Sequence, residues 1–125
     1  MIALNQIGQI AVNVRDLPRA VNFYRDVLGM RHLFDAGPTM SFFDCGGVRL
    51  MLGLPERAAL DHPGSILYYK VADIDAAHRE LDGKGVRFEN APHLIAKLPT
   101  HELWMAFAHD TEGNLFALMS EATNR

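Results

Sequence analysis

The chain contains the same succession of elements twice, and this internal repeat restricts the possible folds more than any other feature of the sequence. A β-like run over residues 7–14 leads to Asp16, and a second run over residues 65–71 leads to Asp73, 57 residues further on. A helical pattern, β-rich sequence and a glycine-containing turn follow each aspartate, so each half has the order β-α-β-β-β. Two such modules predict an α+β fold in which a curved sheet has helices outside and a concave ligand-binding face inside.

Helix and turn signals give approximate boundaries for this repeat. We expect a single domain over residues 1–125, made of modules at about residues 4–56 and 64–121. Asp16 and Asp73 are suitable N-caps for the two helices, because a side-chain oxygen at that position accepts from an unpaired backbone N–H group.

Composition excludes several classes of function. The net charge of -3 and the pI of about 6.0 provide no basic surface for nucleic acid. A single cysteine, Cys45, cannot form an internal disulfide and fits a reducing cytoplasm. The first residues do not resemble a signal peptide, and no apolar run is long enough to span a membrane. We therefore expect a cytoplasmic protein whose partner is a small molecule, with no nucleic acid and no membrane.

Alternation along the strands predicts which side chains face the concave side. The mainly aliphatic positions of each strand should pack on the helices, which leaves the mixed positions for a ligand. Residues 114–119 are apolar on both faces, so alternation does not assign them, and Met119 is included as apolar wall. The expected ligand-binding residues are Gln9, Asn13, Arg49, Met51, Ile66, Tyr68, Lys70, Leu103, Met105, Phe107 and Met119.

Two of the six histidines are candidates for catalysis. His93 and His101 flank a segment that can turn back on itself around residues 97–99, so we expect them to lie near each other across a hairpin. The strand alternation places His101 on the concave side. Imidazole titrates near neutrality, so such a pair could act as acid and base. The competing interpretation is two polar residues at the end of a hairpin.

Three motifs resemble those of the vicinal oxygen chelate superfamily, which includes glyoxalase I, bleomycin-resistance proteins and extradiol dioxygenases. The first is Gln-Ile-Ala-Val-Asn-Val-x-Asp at 9–16, followed by Ala-x-x-Phe-Tyr-x-x-Val-Leu-Gly at 20–29. The second combines Val-Ala-Asp-Ile-Asp at 71–75 with Gly-Val-x-Phe at 85–88. The third, Phe-Ala-His-Asp-Thr-Glu-Gly-Asn at 107–114, is similar to the Asp-Pro-Asp-Gly-Asn turn of that superfamily. The resemblance implies paired βαβββ modules and commonly a homodimer.

The same resemblance implies that the usual metal site is absent. Metal-dependent members of the superfamily hold their ion with one side chain from each of four strands, and the matching positions are Gln9, Arg49, Ile66 and Ala117. Only Gln9 offers a suitable ligand atom, because isoleucine and alanine have no lone pair and a guanidinium repels a divalent cation. We therefore expect no cofactor and no metal-ligating residues. The alternative is a divalent metal on non-standard ligands such as His93 and His101.

Two classes of function remain open for this chain. The first is a small-molecule-binding protein similar to the bleomycin-resistance branch, in which Arg49 and Lys70 suit an anionic or carbonyl-bearing ligand. The alternative is a metal-dependent lyase, isomerase or dioxygenase resembling glyoxalase I. That chemistry uses carboxylates on the concave face, which the aligned positions lack. A third possibility is a domain whose function lies in forming the dimer.

Overall fold

The computed structural model describes residues 2–123, except the side chain of Thr123, and the chain divides into two compact units at Gly64 and Ser65. The first unit follows the expected β-α-β-β-β order. Its strands form one sheet in the order β1-β4-β3-β2, with β1 and β4 parallel and the other pairs antiparallel. The elements are β1 (Gln9–Asn13), α1 (Leu17–Asn22) with a π-helical turn (Phe23–Val27), β2 (Arg31–Ala36), β3 (Met40–Cys45), β4 (Val48–Gly53) and a 3₁₀ turn (Ala58–Leu60).

The second unit repeats this order with one strand interrupted. Its sheet has the order β5-β9-β8-β6, and β7 also pairs with β8. Strands β6 and β7 pair with successive stretches of β8, so together they take the place of one strand of the first unit. The elements are β5 (Leu67–Lys70), α2 (Ile74–Gly83), β6 (Arg87–Phe88), β7 (His93–Lys97), β8 (His101–His109) and β9 (Leu115–Thr123). The predicted α+β class is confirmed, with two mixed sheets and two α-helices in the described residues.

Local geometry repeats between the units as well as topology. Asp16 Oδ1 accepts from the backbone N–H of Arg19 at 3.1 Å, and Asp73 Oδ1 accepts from that of Ala76 at 3.0 Å. Both aspartates are extended, at φ −130° and −126°, so both N-cap predictions are confirmed. The offset of 57 residues thus links equivalent positions in the two units.

In the first unit one face of the sheet packs on the helix. Tyr24, in the π-helical turn, lies 6.4 Å from the ring centroid of Phe43 in β3. Phe43, Leu50 and Leu52 share that face and are buried, as is Tyr24 itself. The opposite face is not covered by α1 or its π-helical turn, although the 3₁₀ turn and the segment that follows it reach this face at Asn13. We call this face the open face of the first unit.

The second unit has the same two-sided arrangement. The ring of His78 in α2 lies 4.4 Å from that of Phe88, and Phe88 pairs with Ala108 in the sheet. The residues that share this helix-covered face, including Phe116 and Leu118, are buried. The burial of Phe116 and Leu118 assigns the faces of residues 114–119, which alternation left open. Met119 lies on the opposite side, which we call the open face of the second unit. None of the helices within residues 2–123 has the length and apolar character needed to cross a membrane.

Strand β2 contains a bulge that changes which side chains face the helix. His32 pairs with Phe43, but the next paired residue is Phe34, opposite Phe42, so Leu33 is an extra residue. Regular alternation would put Phe34 on the face of His32. The bulge puts it on the open face instead.

A network of polar side chains spans this bulge on the helix-covered face. Ser41 is fully buried, and its hydroxyl donates to Asp35 Oδ1 at 2.7 Å. His32 Nε2 lies 2.8 Å from Asp35 Oδ1 and 3.1 Å from Ser41 Oγ. The hydrogen bonds from Ser41 and His32 lower the pKa of Asp35 from its ordinary value.

We expect the Asp35→Asn variant to lose less stability than the parent protein on acidification. The pKa of Asp35 is lower in the folded state than its ordinary value of 3.8. The carboxylate therefore makes its full contribution to the free energy of unfolding above pH 3.8. This contribution is lost as the pH falls through the folded-state pKa. The Asp35 side chain is 60% exposed, so solvent screens its interactions. The parent protein should therefore lose about 0.5 kcal/mol more stability on acidification than the Asp35→Asn variant. Urea unfolding on both sides of that pH measures it, with Glu80→Gln on α2 as a control. Equal acid sensitivity of parent and Asp35→Asn would contradict this role.

Candidate functional site

The open face of the first unit carries a row of polar side chains beside a row of apolar ones. The strand register aligns these positions directly across the four strands. The polar row consists of Gln9, Arg49, Asp44 and Arg31, and the apolar row consists of Ala11, Met51, Phe42 and Phe34. Gln9, Asn13, Arg49 and Met51 therefore share this face, as alternation predicted.

Arg49 is held in a fixed position within the polar row. Its Nε donates to Gln9 Oε1 at 2.9 Å, and its Cζ lies 5.2 Å from the ring centroid of Phe42, a cation–π distance. Gln9 Nε2 in turn donates to Met51 Sδ at 3.7 Å. Arg49 is exposed, and its terminal amino groups make no hydrogen bond with any residue of the range 2–123. The guanidinium thus presents two oriented donor groups to solvent.

Asn13, which the sequence predicts as a ligand contact, also holds a neighbouring segment of the chain. Its amide nitrogen donates to the backbone oxygens of Leu60, at 2.6 Å, and His62, at 3.2 Å. Arg15, two residues after Asn13, forms an ion pair at 2.9 Å with Asp61, which lies between Leu60 and His62. Because both amide protons of Asn13 have partners, this side chain fastens the end of the first unit and has no proton left to donate to a ligand.

The predicted residues of the second unit also share one face of their sheet. Tyr68 aligns with Ala117 and Phe107, and the rings of Tyr68 and Phe107 are 5.8 Å apart in an edge-to-face arrangement. Ile66 precedes β5 and is 40% exposed. The strand ladder places Tyr68, Lys70, His93, His101, Leu103, Met105, Phe107 and Met119 on the open face of this unit.

The prediction that His93 and His101 lie close together is wrong. The hairpin exists, and Leu98 N donates to His101 O at 2.8 Å beside its turn. His93, however, pairs with Met105, because partners in a hairpin are equally far from its turn. Met105 lies four positions along the strand from His101, or about 13 Å away. The two histidines therefore cannot act on one proton or share one metal ion.

A carboxylate that the sequence motifs did not indicate lies beside His101. Glu121 is on the open face of the second unit, and its Oε2 lies 3.7 Å from His101 Nε2 and 3.9 Å from Lys70 Nζ. Thr100 Oγ1 lies 3.1 Å from the other ring nitrogen of His101. Strand alternation could have indicated this residue, because Glu121 lies two residues after Met119 and faces the same side. Glu121, however, lies outside the motifs from which the site was predicted. The aligned positions lack carboxylates, as expected, but Glu121 supplies a candidate base elsewhere on this face.

The residues at the usual metal positions do not fit a divalent ion. The oxygen of Gln9 already accepts from the Arg49 guanidinium, while Ile66 and Ala117 have no ligand atoms. The register also shows that Met51, not Arg49, corresponds to Ala117, because Met51 pairs with Ala11 and Ala117 with Tyr68, 57 residues further on. Within residues 2–123, no three or more His, Cys, Asp or Glu side chains are grouped to hold a metal.

The lone cysteine has the properties of a structural thiol. Burial and the neighbouring Asp44 raise the pKa of Cys45, which favours the unreactive protonated form.

Comparison with known proteins agrees with this architecture. A family model described as Glyoxalase/Bleomycin resistance protein/Dioxygenase superfamily matches residues 6–118. A superfamily member from Sphaerobacter thermophilus superposes with a TM-score of 0.79 at 24% identity, covering 94% of this chain and 98% of that one. TnmS3, an antibiotic-binding protein from Streptomyces sp. CB03234, gives 0.72 at 23% identity, with coverages of 98% and 100%. Lactoylglutathione lyase from Agrobacterium tumefaciens gives 0.69 at 22% identity, with coverages of 93% and 93%.

Proposed function

The chain belongs to the glyoxalase/bleomycin resistance protein/dioxygenase superfamily, and from this premise we propose that it binds a small anionic or carbonyl-bearing molecule without a metal ion. The ligand contacts the open face of the first unit, where Arg49 supplies the positive charge and Met51 contributes apolar contact. The observation that carries this proposal is the fixed guanidinium, oriented by Gln9 at 2.9 Å and by the ring of Phe42.

A guanidinium can bind ligand oxygens in the role that a metal has in other members of the superfamily. Its charge persists at all relevant pH values, and its planar fork of N–H groups matches a carboxylate or two neighbouring oxygens. Gln9 accepts from Nε, so the two terminal nitrogens remain for the ligand. TnmS3, a structural neighbour described as an antibiotic-binding protein, supports a binding function on this fold.

Replacing Arg49 with Ala should weaken binding of cyclohexanecarboxylate, a simple anionic and apolar probe, by about 1.5–3 kcal/mol. Binding of the uncharged cyclohexylmethanol should hardly change, because only the charged hydrogen bonds are lost. NMR titration of both probes measures the difference. Arg57→Ala, an exposed arginine of the same unit, is the matched control and should leave both affinities unchanged.

Two results would contradict this proposal. One is an Arg49→Ala variant that stays folded and binds the carboxylate as well as the parent protein does. The other is stoichiometric divalent metal, found by elemental analysis of protein purified without chelators and bound at Gln9.

A second candidate function, acid–base catalysis without a metal, is favoured by Glu121. Its carboxylate can accept a proton, His101 can receive that proton, and the ammonium of Lys70 can stabilise a developing negative charge. This version of the enzyme alternative uses His101 alone, because His93 lies at the far end of the hairpin.

If this candidate is correct, the protein accelerates exchange of deuterium from D₂O into hydroxyacetone. The Glu121→Gln variant should then lose at least about tenfold of that acceleration, since it lacks the base. Proton NMR follows the exchange, and Glu80→Gln on α2 serves as the carboxylate control. Parent protein that exchanges no faster than buffer would eliminate this candidate and leave the binding proposal intact.

We also propose a homodimer, as the superfamily resemblance implies. Light scattering at micromolar concentration should give twice the chain mass, and a monomeric mass would contradict it.

A further inference from the structure

We infer that the open face of the first unit selects a planar aromatic anion, with Phe34 contacting the ring and Arg49 the anionic group. This inference rests on the proposed function, which requires only the negative or carbonyl oxygen. It adds that the ligand is aromatic and that Phe34 is the residue that selects the aromatic ring.

The two aromatic side chains of the apolar row form a stacked pair. The rings of Phe34 and Phe42 are 4.7 Å apart and inclined by only 25°. Phe42 is 7% exposed and Phe34 46%, so an exposed ring lies on a buried one. The guanidinium of Arg49 contacts the same buried ring at 5.2 Å. An aromatic surface and a positive charge thus lie side by side, which matches a flat ligand with an acidic group.

The bulge in β2 is the reason that Phe34 lies on this face. If Leu33 occupied a regular position in the ladder, opposite Phe42, Phe34 would share the helix-covered face with His32 and could be buried there. His32, Asp35 and Ser41 hold the bulge from behind, through contacts of 2.7–3.1 Å. A backbone irregularity fixed by a buried hydroxyl therefore exposes a phenylalanine next to Arg49.

The charges of the polar row agree with an anionic group beside the ring. Arg31 and Arg49 lie on either side of Asp44 in this row. Asp44 Oδ1 accepts from the backbone N–H of Gly47 at 3.1 Å, which ties this carboxylate to the turn. The guanidinium of Arg49 lies over the ring of Phe42, at 5.2 Å, so the anion binds there.

The test compares two carboxylates, 2-naphthoate and cyclohexanecarboxylate, by NMR titration of the full chain. The Phe34→Leu variant should weaken 2-naphthoate about threefold to tenfold, because it loses ring stacking but keeps apolar volume. Its affinity for cyclohexanecarboxylate should change by less than about twofold, since that ligand cannot stack. Phe34→Tyr keeps a ring and should restore naphthoate binding. Leu4→Ala, an exposed apolar side chain that precedes β1 in the same unit, is the control.

The outcomes separate this inference from the proposed function. If Arg49→Ala weakens both carboxylates while Phe34→Leu weakens neither, the anion site stands and the aromatic selection is overturned. If Phe34→Leu weakens both probes equally, Phe34 is only an apolar contact, and the selection is again overturned. If the parent protein shows no saturable binding of 2-naphthoate at millimolar concentration, the inference fails outright. The thermal unfolding midpoint of each variant shows whether it is folded.

Discussion

The parallel pairing of the first and last strands is the constraint on which each unit depends. β1 pairs with β4 and β5 with β9, while the strands between them pair antiparallel through tight turns. A parallel pair needs a crossover connection, and here the connection includes a helix that covers one face of the sheet. Side-chain alternation then separates the core from the open face. A register shift of one residue would bury Arg49 and expose Leu50.

Most of this architecture could be predicted because it depends on local signals that occur twice. The capping aspartates and the β-α-β-β-β order came from the repeat and are present in both units. The interruption between β6 and β7 was not predicted. It contains Pro92, which has no N–H group to donate to a ladder, a local signal that the periodicity of the repeat obscured. The faces of residues 114–119 needed tertiary contacts, because both faces are apolar.

The candidate site was predictable where strands are regular and not where they are irregular. Alternation placed Gln9, Arg49 and Met51 correctly, but it could not show that Leu33 is an extra residue and that Phe34 changes face. The position of His93 depended on how far it lies from the hairpin turn, and sequence patterns located that turn only approximately. Whether the predicted residues bind a ligand stays a prediction, since strand geometry fixes their faces and not their partners.

The role that we propose for Arg49 is compatible with neighbouring residues that differ from metal ligands. A metal ion requires several converging donor atoms, and each must be polar. A guanidinium carries its own charge and donors, so it needs only orientation, which one glutamine oxygen and one aromatic face provide. Under the proposed function the aligned positions need no ligand atoms, and Met51 and Ala117 are apolar. Anion binding by arginine in place of a metal would then leave space for the aromatic pair of Phe34 and Phe42 beside Arg49.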